Sequence, residues 1–127
     1  MNWKEEINQR KQKKEILRKE IRKLEKQIDE IGTHNYIQYI CEEIESKYGY
    51  ICRTHRHGGF YLFEKNATKK QIQYRRAILK TVFLEEKNGR YYFDESINKL
   101  GLHNYEEEIL VEMPDTIDEI FNYIMEN

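Results

Sequence analysis

Residues 3–31 read WKEEINQRKQKKEILRKEIRKLEKQIDEI, and Trp3, Ile7, Leu17, Ile21, Leu24, Ile28 and Ile31 recur at alternating intervals of four and three. That interval is the signature of a heptad seam on one long helix. Positions 10 and 14 of the same seam hold Arg10 and Lys14, so the unbroken apolar stripe begins only at Leu17. A helix of this length spans roughly 45 Å at about 1.5 Å per residue. Such a stripe has no use on an isolated helix in water, because it must be buried against another surface. Self-association of residues 1–33 as a coiled-coil dimerisation helix, through Leu17, Ile21, Leu24, Ile28 and Ile31, is the favoured expectation. The competing one folds the stripe back on a helix near 36–48, with Gly32-Thr33 as the turn of an antiparallel hairpin.

Residues 34–127 are enough for one compact domain. With 39% apolar and 35% charged residues, ten tyrosines and five phenylalanines, the chain is polar yet equipped to build a core. No run is long and apolar enough for a membrane span, and the start lacks the apolar centre of a signal peptide. Two cysteines, Cys41 and Cys52, do not make a disulfide framework. A cytoplasmic protein without a membrane partner is expected.

The net charge of −1 hides a segregation along the chain. Residues 53–80 carry eight Lys/Arg against Glu64 alone, net +7, whereas residues 85–127 carry three Lys/Arg against twelve Asp/Glu, net −9. Either the two stretches neutralise each other in the fold, or one of them faces a partner of opposite sign.

Past Gly32, Thr33 or Asn35 is placed to cap a second helix whose apolar residues run from Tyr36 to Tyr48, ending at Gly49. Residues 50–56 and 60–65 read as strands joined through His57-Gly58-Gly59. Thr68 and Gln71 have capping-box spacing and open a third helix, with Ile72, Ala77, Ile78, Leu79, Val82 and Phe83 on its buried side. Thr81–Leu84 reads equally as a strand paired across Asn88-Gly89 with Arg90–Phe93. Residues 94–104 look irregular, with room for a helical turn at 95–100. A β-rich run at Ile109–Val111 precedes Pro114 and a last helix capped by Asp115 or Thr116. The expected class is α+β: a long N-terminal coiled-coil helix, then a small antiparallel sheet packed with about three helices.

Chemistry-bearing patterns are sparse. His55 and His57 lie two apart and offer two ligand positions, but no spacing ties a third ligand to them. The only serines, at 46 and 96, lack a nucleophile elbow, and Gly58-Gly59 is too short for a phosphate loop. No catalytic residues, metal or cofactor are therefore assigned, and the chain is expected not to be an enzyme. For nucleic acid or another anionic ligand the candidates are Arg53, Arg56, Lys69, Arg75, Arg76 and Lys80, interleaved with Tyr61 and Tyr74. For a basic protein partner the candidates are Glu106, Glu107, Glu108, Glu112 and Asp115, an acidic face. Size and a Lys/Glu/Ile/Asn/Tyr-heavy composition resemble those of small accessory proteins of AT-rich phages and mobile elements, including inhibitors of bacterial defence systems. Combined with the absence of a catalytic signature, the dimerising helix and the segregated charge, that compositional resemblance makes a homodimeric, stoichiometric binder the expectation, specifically an inhibitor of a host nucleic-acid enzyme or defence system, with protein the favoured partner. The alternatives are a dimeric nucleic-acid-binding protein using residues 53–80, or a nucleotide-sequestering protein.

Overall fold

The computed structural model describes residues 2–96 and 108–127. Its elements are α1 (Trp3–Ile31), α2 (Thr33–Tyr48), β1 (Ile51–His55), β2 (Gly59–Phe63), α3 (Lys69–Gln73), β3 (Ile78–Lys87), β4 (Arg90–Asp94), β5 (Leu110–Glu112) and α4 (Ile117–Glu126). The fold is α+β, with a long N-terminal helix, three further helices and one antiparallel sheet in the strand order β1-β2-β3-β4-β5. Each strand therefore lies beside its neighbours in sequence, an antiparallel meander.

The helix ends follow local chemistry. Asn2 caps α1 by accepting the Lys4 N–H at 2.9 Å, and Gly32, at φ +102°, ends it and leads straight into α2. The expectation that Thr33 or Asn35 caps α2 is not met, since Gly32 holds the cap position without a side-chain bond. Asn35 instead donates its amide back to the Ile31 carbonyl at 3.0 Å, closing the end of α1. Gly49 ends α2 in the left-handed conformation, and Thr116 caps α4 by accepting from Glu119 N–H at 3.2 Å.

The third helix needs correction. Its capping box forms, with Thr68 Oγ1 accepting from Gln71 N–H at 3.1 Å and Gln71 Oε1 accepting from Thr68 N–H at 2.9 Å. It then stops after Gln73. Arg75 takes φ +54°, and the bonds Arg75 N–H to Ile72 O (3.1 Å) and Arg76 N–H to Gln71 O (2.7 Å) make a Schellman close with arginine where glycine is usual. Ala77 is also left-handed, at φ +60°. From Ile78 the chain is a ten-residue strand whose first part pairs with β2 and whose last part pairs with β4. Hydrogen-bonded partners on either side, with β-branched Ile78, Thr81 and Val82, favour strand over the helical spacing. Lys69, Arg76 and Lys80 consequently share no helix: they sit on α3, in the turn and on β3.

Alternation along the strands sends Cys52, Phe60, Leu62, Val82, Leu84 and Phe93 to one face, where α2 and α4 cover them. Phe60 and Leu62 are fully buried there, each contributing about 2–3 kcal/mol of apolar transfer. Tyr48 stacks on Phe121 with ring centroids 3.8 Å apart, tying α2 to α4. At the mouth of the segment after β4, Ser96 Oγ accepts from Ile109 N–H at 2.7 Å and Ser96 N–H donates to Asp94 at 2.9 Å. The expected helical turn at 95–100 falls mostly outside the described residues.

Helix and strand make opposite claims about residue 77. In a helix interior Ala77→Gly costs about 1 kcal/mol; in the left-handed turn seen here it stabilises by roughly 0.5–1 kcal/mol. Urea denaturation of the variant reads the sign.

Candidate functional site

Two surfaces stand out, and the first is α1 itself. None of its residues is buried, and Leu17, Ile21, Leu24 and Ile31 are 52–62% exposed. Only Ile28 of the expected seam packs against the chain's own core. The helical-hairpin reading therefore fails over most of the helix. Near its C-terminal end α1 is held by Arg90 Nε donating to Glu25 at 3.2 Å and by the β3–β4 turn. There a Cβ on Gly89 would stand 3.0 Å from the Glu25 carbonyl oxygen. Arg22, Glu25, Lys26, Asn88 and Arg90 line an open cleft of about 600 Å³ at this joint.

The second surface is the sheet face turned away from α2 and α4. Register puts Arg53, Tyr61 and Thr81 in one row across β1, β2 and β3, and His55, Gly59 and Phe83 in the next. Gly59 leaves a gap that the His55 ring uses. A Cβ at Gly59 would lie 1.9 Å from the Val82 carbonyl oxygen and 2.9 Å from His55 Nε2. Through this gap His55 Nε2 reaches Val82 O at 2.9 Å, while His57 N–H donates to His55 Nδ1 at 3.2 Å. Those two partners require a proton on Nε2 and a lone pair on Nδ1, the neutral ring. Burial lowers the His55 pKa, opposed by the Val82 bond and reinforced by the nearby His57 and the Arg75 guanidinium. The ring is flanked by Tyr61 at 5.0 Å and Phe83 at 5.1 Å between centroids. The Arg75 guanidinium lies 5.5 Å over Tyr61, a cation–π contact set up by the left-handed turn.

The eight basic and aromatic candidates do not form one patch. Tyr61 and Arg75 meet; Arg53 instead bonds Glu45 of α2 and its neighbour's carbonyl, Cys52 O, at 2.7 Å. Lys80 pairs in register with buried Leu62 and so belongs to the helix-covered side of the sheet. Arg56 lies in the hairpin loop, and Lys69, Tyr74 and Arg76 are exposed around α3. Of the acidic candidates, Glu106 and Glu107 lie outside the described residues. Glu108 bonds Lys87 at 3.0 Å, Glu112 stands beside Tyr92, and Asp115 is exposed ahead of α4.

Charge neutralisation across the fold is not what the described residues show. Their ion pairs are Lys47–Asp118, Arg53–Glu45, Lys87 with Glu85 and Glu108, and Arg90–Glu25. None joins a cation of 53–80 to a carboxylate of 85–127. The reason is the meander, which keeps sequence neighbours together and puts β1 and β5 at opposite edges.

Other groups are tuned without converging on a reaction centre. A hydrogen bond with Cys41, and burial, push the Cys52 thiol far above its usual range, so it is not a thiolate at neutral pH. Burial and the Glu95 hydrogen bond push Tyr123 up to about 12, and Lys47 with the Tyr48 hydroxyl holds Asp118 low. Among the described residues no three His, Cys, Asp or Glu side chains cluster as metal ligands, and no helix is long and apolar enough to cross a membrane. The His55 gap, the Arg75 turn and the two acids Glu45 and Glu25 are invisible to residue spacing. Only the Gly58-Gly59 doublet hints at the first, one glycine serving the loop and the other the close approach.

No family model, curated protein or solved structure matches the chain.

The His55 arrangement has a pH consequence. Its folded pKa lies below the unfolded value, so the stability it contributes is present above the unfolded pKa of about 6.5 and is lost as pH falls through the folded pKa. Thermal midpoints should drop from pH 7 to pH 5, and His55→Gln should flatten that slope; equal slopes would show the ring is not the titrating group. Gly59→Ala, which closes the gap, should destabilise by about 2–3 kcal/mol in chemical denaturation.

Proposed function

We propose that this chain is a non-catalytic binding protein that dimerises through α1 and holds its target stoichiometrically. The observation that carries this reading is the exposed row Leu17, Ile21, Leu24 and Ile31 on a helix with no fully buried residue. Apolar side chains in such a row are stabilised only when a partner removes them from water. The target favoured by composition and by the acidic C-terminal third is a protein, specifically a host nucleic-acid enzyme or defence component that the dimer inhibits. The expected test is Leu24→Lys, which should turn a dimer into a monomer in sedimentation experiments; a variant that stays dimeric overturns the seam.

A second reading has its own support in the sheet face, where Arg75 lies over Tyr61 beside His55 and Phe83. An aromatic ring with a stacked guanidinium suits single-stranded nucleic acid, whose bases stack and whose phosphates attract charge. Labelled DNA and RNA oligonucleotides at low and moderate salt decide it. Salt-sensitive binding that Tyr61→Ala and Arg75→Ala each weaken by about tenfold supports this face, whereas no binding at low salt removes it.

A further inference from the structure

The seam carries more than the fact of pairing, because the charged residues in and beside it distinguish the two directions in which a second copy can dock. Written as a heptad, the intervals put Ile7, Lys14, Ile21 and Ile28 at a, and Arg10, Leu17, Leu24 and Ile31 at d. In a parallel pair each residue meets its own copy. Arg10 then faces Arg10 and Lys14 faces Lys14 in consecutive layers, two like-charged contacts at the centre of the interface. The flanking positions add to the conflict: Lys13 of one copy approaches Arg18 of the other, and Glu20 approaches Glu25. Only Glu6 with Lys11 attracts.

We infer that the second copy docks antiparallel along α1, with Ile21 facing Leu17 and Ile7 facing Ile31. This deepens the dimer reading and rests on it. In this register the central cations separate: Arg10 lies opposite Ile28, which the core already half covers, and Lys14 opposite exposed Leu24, where the aliphatic stem covers apolar surface and the charge reaches water at the rim. The flanking residues become complementary. Lys13 meets Glu20 and Arg18 meets Glu25, each twice by the two-fold axis, and no like charges oppose one another at these flanking positions. Sliding by one heptad either way destroys this, bringing Glu20 against Glu20 and Glu25 against Glu25, or Lys13 against Lys13 and Arg18 against Arg18. The charges therefore select a register as well as a direction. Glu25 is already ordered by Arg90, which bonds its Oε2 at 3.2 Å, so Arg18 of the other copy meets a carboxylate held in place. Antiparallel helix dipoles add in the same sense.

The geometry assigns each globular part to an opposite end of the paired helices, with their junctions at Gly32 roughly 40 Å apart along the axis. A parallel pair would put the two side by side.

The discriminating variant is Glu20→Lys, at an exposed position on the part of α1 clear of the domain. Sedimentation equilibrium should show its dimer about tenfold weaker than the unmodified chain, as two attractive pairs become repulsive. Exchanging the charges, Lys13→Glu with Glu20→Lys, should restore the affinity. In a parallel dimer Glu20→Lys instead tightens association, because Lys at 20 then meets Glu25; tighter or unchanged association overturns the inference while leaving dimerisation intact. A chain that stays monomeric at all concentrations overturns the dimer reading itself. Ile7→Cys mixed with Ile31→Cys under thiol exchange gives an independent readout, since Cys41 and Cys52 are buried. A 7–31 disulfide is expected, and 7–7 and 31–31 products alone would contradict it.

Discussion

The globular part depends on β3 having a hydrogen-bonded strand on each side. Its first residues bond β2 and its last bond β4, so this one strand joins the β1–β2 hairpin to the β4–β5 pair. Those ladders hold a segment whose apolar spacing also suits a helix, and they leave the preceding turn to absorb two left-handed residues, Arg75 and Ala77. The left-handed arginine costs on the order of 1 kcal/mol. It also points its guanidinium over Tyr61, so the strain of the turn and the chemistry of the sheet face have one origin.

The meander has a second effect, on electrostatics. A sheet whose spatial order is its sequence order maps linear charge onto strand position, and among the described residues no ion pair joins the basic middle to the acidic end. A crossover connection would have interleaved them.

Much of this fold was legible where periodicity was long or punctuation strong. The long helix α1, Gly49 after α2, the Thr68–Gln71 box and the hairpin at Gly58 follow from local rules that tertiary contacts do not override. The segment from Ile72 to Glu86 was ambiguous because Ile78, Leu79, Val82 and Phe83 satisfy helical spacing, while Val82, Leu84 and their neighbours also satisfy strand alternation. Only long-range pairing resolves that. The candidate site was legible as a list of residue types and not as a place: Arg53 and Lys80 look alike in sequence, yet one wraps toward Glu45 and the other lies on the helix side of the sheet. His55 owes its neutral state chiefly to burial, rather than to the arginines beside it in sequence.

The joint between α1 and the domain acts mechanically as well as chemically. The helix enters α2 through a single glycine and leans on the tip of the β3–β4 turn at Glu25, with Ile28 wedged against the core. Everything N-terminal to this bearing is a stiff, uncovered arm of roughly 33 Å. A tilt of about 5° at the bearing displaces Trp3 by roughly 3 Å. Small repacking around Gly89 and Arg90 is thus amplified at the far end, and the turn sets the aim of the arm.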